Sequence, residues 1–263
     1  MKHFALIGRP LGHSYSQRLF EEAVPHHIAD YSLCELSSLD ILRQWVKEHD
    51  ISGFNVTSPY KETILPLLDN LTPEAKTIGA VNCVKVTGNH LTGYNTDAPA
   101  FRQTLEEALS TFLLPSSTFH SALILGTGGA ARAVAYALDQ LGIGHTFVSR
   151  HPEQHTDLGS DIISYKQLSN FKFQISNLLV NATPVGMYPD TDATPLPSEF
   201  QLSTFNFQLY YDLIYNPSPT RLMREASAMG LKVVDGLSML RLQAKLSRDI
   251  FFADEADYQP IVK

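Results

Sequence analysis

Three polar clusters in the first hundred residues carry the side chains that can do chemistry. GRPLGHSYS (8–16) sets the hydroxyls of Ser14 and Ser16 on alternate residues of a turn, and GFNVTSPYK (53–61) delivers Thr57 and Lys61 just past an apolar strand. GAVN (79–82) and GYNTD (93–97) add Asn82 and Asp97. In an open α/β sheet ligands bind beyond the carboxyl ends of the strands, so these six side chains are expected to face one pocket. Neutral hydrogen-bonders dominate the set, which suits a small polyhydroxylated molecule. A lysine with a nearby aspartate suits proton transfer at an oxygen whose carbon gains or loses hydride. Nothing resembles a Ser-His-Asp nucleophile or a His/Cys metal-ligand spacing, so acyl transfer and metal catalysis are not indicated. Singly, each residue also fits an ordinary structural role, with Ser14, Ser16 and Asp97 as turn or helix caps, Lys61 as a solvated cation and His13 in packing.

A second kind of chemistry is written in SALILGTGGAARA (121–133), an apolar strand running into a glycine turn and then an alanine-rich helix. This is the context that a G-x-G-x-x-A dinucleotide fingerprint requires. Gly126 permits the tight turn, Gly128 lets the backbone approach a pyrophosphate, and Ala131 allows close packing of helix on strand. The free N–H groups of the helix start then point at phosphate. The following strand ends in Ser149-Arg150 and not in the acid that reads an unmodified ribose. A guanidinium binds a 2′-phosphate bidentately and Ser149 can donate to it, so NADP(H) is expected over NAD(H).

The elements that must position these residues follow from periodicity. Short apolar runs at 4–7, 31–34, 53–56, 81–86, 123–125, 146–149, 178–180, 210–213 and 232–234 read as strands. They alternate with helical patterns at 39–48, 101–109, 130–141, 220–229 and 239–251. That alternation predicts an α/β protein built on βαβ units. A chain of 263 residues, at roughly 150 per domain, allows one or two domains. Pro115 and the Ser116-Ser117-Thr118 run in 113–120 suggest a change of domain near that stretch, bridged by the helix before it. The polar, proline-containing stretch 184–206 reads as a functional or surface loop.

Composition excludes other classes. With 44% hydrophobic and 18% charged residues the chain is of ordinary globular type. A net charge of −7 with no basic run argues against a nucleic-acid or anionic-membrane partner. Two distant cysteines, Cys34 and Cys83, exclude a disulfide framework, and no apolar stretch has the length of a membrane span or signal peptide. A cytoplasmic protein is expected.

In order along nearly the whole chain, GRPLGHSYS, GFNVTSPYK, GAVN, GYNTD, GTGGAARA, NATPVGM (181–187), YDLIYNP (211–217) and VDGLSMLRLQA (234–244) resemble the shikimate dehydrogenases. Members of that family reduce 3-dehydroshikimate to shikimate with NADPH, a step toward chorismate and the aromatic amino acids. The resemblance implies a mainly parallel α/β substrate domain over 1–100 and a Rossmann-type NADP-binding domain over 101–236. A C-terminal helix, 237–263, would return to the substrate domain, and the protein would be a monomer or homodimer. It further implies that Ser14 and Ser16 hold the substrate carboxylate, and that Thr57, Lys61, Asn82, Asp97 and Gln243 bind the ring hydroxyls and reacting oxygen, with Tyr215 nearby. Lys61 and Asp97 would be the catalytic pair. Gly126, Thr127, Gly128, Gly129, Ala130, Ser149, Arg150, Thr183, Leu213 and Gly236 would contact NADP(H).

Three departures stand out. Gln17 replaces the usual proline after the double-serine turn, the chain is compact for the family, and Ser149-Arg150 is followed by HPEQ (151–154) with no second fixed cation. With Glu153 so close, discrimination for the 2′-phosphate is expected to be weaker than usual. The alternatives left open are an NAD-using quinate/shikimate dehydrogenase, an idle NADP(H)-binding sensor and a folate-type dehydrogenase of related architecture.

Overall fold

The computed structural model describes residues 1–12, 14–159, 161–168, 177–198, 200 and 202–253. His13, two positions of the 184–206 stretch and the last ten residues of the expected C-terminal segment lie outside the described residues. The chain forms two compact units, one of Met1–Asp97 with the chain from Arg241 onward, the other of Ala98–Leu240. The 113–120 stretch falls inside the second unit, ahead of its first strand.

The first unit runs β1 (Lys2–Ile7), α1 (Ser16–Glu21), β2 (Ala29–Cys34), α2 (Leu42–Glu48), β3 (Ile51–Val56), α3 (Tyr60–Thr63), β4 (Asn70–Leu71), α4 (Pro73–Ile78), β5 (Cys83–Thr87) and β6 (His90–Tyr94). Its sheet order is β2-β1-β3-β5-β6-β4. The pairings β1–β2 and β1–β3 are parallel, as expected; β4 and β6, which the apolar runs did not predict, also pair in parallel, whereas β5 runs antiparallel to both β3 and β6. The cause is local. Thr87 and His90 pair across a two-residue turn whose first residue, Gly88, has φ +60, and such a turn forces a hairpin. Apolar side chains cover both faces: Trp45, Phe54, Ile64 and Val84 on one, Phe4, Phe20 and Tyr31 on the other.

The second unit begins within α5 (Asp97–Thr111) and continues through β7 (Ser121–Leu125), α6 (Gly129–Gln140), β8 (Gly144–Ser149), β9 (Ile162–Ser164), α7 (Tyr165–Leu168), β10 (Leu178–Asn181), β11 (Leu209–Asp212), α8 (Arg221–Ala228) and β12 (Lys232–Val234). Every pairing is parallel, in the order β12-β11-β10-β7-β8-β9. Counted from its first strand this is 3-2-1-4-5-6, the doubly wound arrangement of dinucleotide-binding domains. The unbroken apolar runs of β7 and β10 are buried, as strands covered on both faces must be.

Helix α9 (Leu237–Phe251) starts in the second unit, where Asp235 Oδ1 accepts from the Leu237 amide at 3.1 Å, and finishes in the first. There Phe251 stacks on Phe4 with centroids 4.7 Å apart. Among the described residues no helix is long and apolar enough to cross a membrane, and no group of three or more His, Cys, Asp or Glu is placed to hold a metal ion.

Candidate active site

Strand direction explains how separated motifs meet in the first unit. β1 and β3 are parallel, so the turns that follow them leave the same edge of the sheet. The Thr57 amide donates to the Ile7 carbonyl and the Arg9 amide to the Ser58 carbonyl, both at 2.9 Å. A side chain at Gly8 would collide with Thr57, so glycine is what lets the two turns pack. Because β5 is reversed, Asn82 reaches that edge from the start of its strand. Asp97 reaches it from the end of β6, through Asn95 and Thr96. Lys61 sits on the single turn of α3, whose peptide is pinned when the Val81 amide donates to the Lys61 carbonyl at 2.8 Å.

The outcome is a close polar constellation. Lys61 Nζ donates to Asp97 Oδ2 at 2.6 Å, with side chains 16% and 7% exposed. Asn82 Nδ2 donates to Asp97 Oδ1 and to Thr96 Oγ1, each at 2.8 Å, and stands 3.4 Å from Gln243 Oε1. Asp97 also opens the fifteen-residue helix α5, where the positive end of the helix dipole favours a carboxylate. Held at both oxygens, Asp97 fixes the position of the Lys61 amine beside it.

Behind this pair runs a buried hydrogen-bonded chain that the sequence motifs do not announce. The Asn82 side-chain oxygen accepts from the Thr96 amide at 2.7 Å, and Thr96 Oγ1 lies 3.1 Å from Ser247 Oγ. Ser247 Oγ accepts from Asn55 Nδ2 at 2.8 Å, and Asn55 Oδ1 accepts from the Tyr31 hydroxyl at 2.9 Å. Burial raises the Tyr31 hydroxyl well above its ordinary range and pushes the neighbouring Cys83 thiol up to about 12. Both therefore stay protonated and neutral. Ser247 lies one helical turn beyond Gln243 on α9, and that i, i+4 spacing is the sequence signal that would have found it.

Ser14 and Ser16 stand half-buried in the turn after β1. The Ser14 hydroxyl accepts from the Ser16 amide at 3.3 Å, and the turn is braced by Glu35, which accepts from the Leu11 amide at 2.6 Å. Tyr215, half-buried, belongs to the second unit.

In that second unit the glycine turn links β7 to α6. Gly126 has φ +101, and a Cβ there would come within 3.0 Å of Thr183 Cγ2. Gly128 caps α6 in an extended conformation with no side chain capping the helix, so backbone N–H groups face the turn unscreened. This small, amide-lined cradle fits a pyrophosphate. Ser149 is buried at the end of β8 and accepts from the His151 amide at 3.1 Å, which leaves its own proton to donate; Arg150 beside it is exposed. Thr183 donates its hydroxyl to Asn181 Oδ1 at 2.7 Å, and a side chain at Gly236 would strike the Leu213 carbonyl, so these three positions line neighbouring turns. Beneath them the fully buried Asp212 carboxylate accepts from Asn181, Ile214, Tyr210 and Thr220 at 2.6–3.0 Å. Burial nonetheless raises its pKa above the usual carboxylate value.

Comparison with known proteins decides the family. The profile of the shikimate dehydrogenase substrate binding domain matches residues 6–84. The NADP(+) shikimate dehydrogenase of Caldicellulosiruptor saccharolyticus is 34% identical over 96% of this chain and 92% of its own. This chain belongs to the shikimate dehydrogenase family. Among solved family members, shikimate dehydrogenase 1 of Peptoclostridium difficile superposes with a TM-score of 0.84 at 36% identity, covering 96% of this chain and 92% of that one. The Thermus thermophilus enzyme, solved with NADP(H) and shikimate, gives 0.79 at 37% identity over 96% and 94%.

Proposed function

We propose that this family member catalyses the reversible NADPH-dependent reduction of 3-dehydroshikimate to shikimate, on the route to chorismate. The observation that carries the reading is the 2.6 Å contact between Lys61 Nζ and Asp97 Oδ2, with the Asn82 and Gln243 amides beside it. Bound NADPH would supply the hydride; Gly126 to Ala130, Ser149, Arg150, Thr183, Leu213 and Gly236 would hold the cofactor.

The chain's own residues do the rest. An ammonium has three donors, so Lys61 can keep its bond to Asp97 and direct a second hydrogen at the ketone oxygen. As hydride adds to the carbon, charge grows on that oxygen. Lys61 stabilises it and passes its proton there, giving the alcohol; in the reverse direction the free amine takes the proton back. Asp97 keeps the amine aimed and accepts from a substrate hydroxyl. Ser14 and Ser16 donate to the substrate carboxylate, while Thr57, Asn82, Gln243 and Tyr215 bind the ring hydroxyls. In this reading the first unit takes the substrate and the second the cofactor. The free thiols of Cys34 and Cys83 suit the reducing cytoplasm.

The test is direct. Shikimate is supplied with NADP, then with NAD, and the rise of the reduced-nicotinamide absorbance is followed. Turnover favouring NADP is the expected result. Saturating shikimate that reduces neither cofactor would overturn the reading, as would quinate oxidised in preference.

A further inference from the structure

Asn82 has two amide hydrogens and three acceptors within reach of them. Its side-chain oxygen accepts from the Thr96 amide at 2.7 Å, which fixes the direction in which Nδ2 points. Two of the acceptors are near: Asp97 Oδ1 and Thr96 Oγ1, each at 2.8 Å. The third, Gln243 Oε1, stands at 3.4 Å, where a hydrogen bond is already weak. What decides between Thr96 and Gln243 lies deeper in the first unit. Thr96 Oγ1 can receive the Asn82 hydrogen only while its own hydrogen points elsewhere, and Ser247 Oγ stands 3.1 Å away to take it. Ser247 is set up as that acceptor from behind. It accepts from Asn55 Nδ2 at 2.8 Å, and its own hydrogen has the Cys83 thiol as partner. Asn55 in turn cannot flip, because its oxygen accepts from the Tyr31 hydroxyl at 2.9 Å while its Nδ2 also donates to the Asn82 carbonyl at 3.1 Å. Asn55, Asn82, Thr96 and Ser247 are all buried, so these donors and acceptors must be matched among themselves.

We propose that Ser247 is a positioning residue for substrate binding: by taking the Thr96 hydrogen it keeps the second Asn82 hydrogen on Thr96 and off Gln243 Oε1, which stays open to a hydroxyl of the substrate ring. Ser247 is buried and acts only through Thr96 and Asn82. Without its oxygen the Thr96 hydroxyl turns, and the Asn82 hydrogen it releases swings to Gln243. There it competes with the substrate for the same acceptor. Asp97 keeps its own Asn82 hydrogen and its bond to Lys61, so the proton-transfer pair is left as it was. The loss therefore falls on ground-state binding, with KM raised and kcat spared. This inference rests on the proposed reaction, in which Gln243 is one of the substrate's partners.

The test is steady-state kinetics with shikimate and NADP+ on wild type, Ser247→Ala and Ser247→Cys, each also made in a Gln243→Ala background. Ser247→Ala should raise KM for shikimate about five-fold, the usual order for one neutral hydrogen bond, and leave kcat and KM for NADP+ unchanged. Ser247→Cys fills the same space, but a thiol accepts poorly, so it should show the same rise and keeps the test open if the alanine variant does not fold. In the Gln243→Ala background neither substitution should raise KM further, because the contested acceptor is gone. A residue that merely held the fold together would lower the active fraction, and with it kcat, in both backgrounds alike. An unchanged KM for shikimate in a folded variant, or a rise of the same size without Gln243, overturns the role of Ser247 alone. Wild type that oxidises shikimate with neither cofactor overturns the reading of the reaction as well.

Discussion

Ser247 and Gln243, one turn apart on α9, reach the same asparagine by two routes. Gln243 Oε1 approaches the Asn82 amide directly at 3.4 Å, and Ser247 reaches it through Thr96, whose hydroxyl lies 3.1 Å from its own. Helix α9 therefore grips the polar core that holds Asp97. Ser247→Ala takes the 2.8 Å acceptor from Asn55 Nδ2 at a buried site, and should lower stability by about 1–3 kcal/mol. Urea unfolding measures it; an unchanged midpoint would remove Ser247 from the network.

Lys61→Ala leaves Asp97 still held by Asn82 and by the start of α5, so the fold should survive. Turnover should not: loss of the proton donor is expected to cut kcat about 100- to 10,000-fold, with a smaller change in KM. Steady-state kinetics beside a melting curve would check it. Near-normal kcat on 3-dehydroshikimate would show that another group moves the proton.

Gly53→Ala probes how α9 is seated. A Cβ at Gly53 would lie 2.7 Å from Phe251 Cδ1 and 3.2 Å from the Val84 carbonyl oxygen, and Phe251 is already stacked on Phe4. The ring must move, at about 1–3 kcal/mol, and it displaces the helix that presents Gln243. Lower stability together with a raised KM for shikimate is the expected pair. A variant with both unaltered would mean that the end of α9 does not position Gln243.

Asp212 predicts a pH dependence of stability. Unfolded, its carboxyl titrates near ~3.9. Folded, burial raises that value, so between the two the native chain holds the extra proton. Its contribution is thus fullest below the unfolded value and is lost as pH rises through the folded one. Asp212→Asn, which sets an amide N–H among four donors, should be less stable at neutral pH by about 1.5–3 kcal/mol. The difference in favour of wild type should widen as the pH is lowered from neutral toward 4. Denaturant midpoints across that range would show it, and a gap independent of pH would contradict it.

The second unit was largely legible in advance, since β7, β8, β10 and β11 are buried on both faces and read as plain apolar runs. Strands β6 and β9 were not. HLTGY holds a glycine and few β-branched residues, and IIS has only three residues, so each depends on its neighbours for pairing. Missing β6 hid the reversal of β5, which is a matter of tertiary pairing and not of composition. In the first unit Lys61 and Asp97 stood out because a charged pair amid neutral hydrogen-bonders has few structural uses. Asn55, Thr96 and Ser247 did not, because a buried hydroxyl or amide looks in sequence like any other polar residue.

The first unit has a gap in its chain: Phe251, Ser247 and Gln243 are encoded after the whole of the second unit. Emerging from the ribosome, residues 1–97 lack the aromatic ring that covers Phe4 and the hydroxyl that satisfies Asn55. The nucleotide-type unit, contiguous in sequence, can be completed earlier. The order of synthesis is thus inverted in assembly, and a prematurely terminated product would carry a finished parallel sheet beside an unsealed first half.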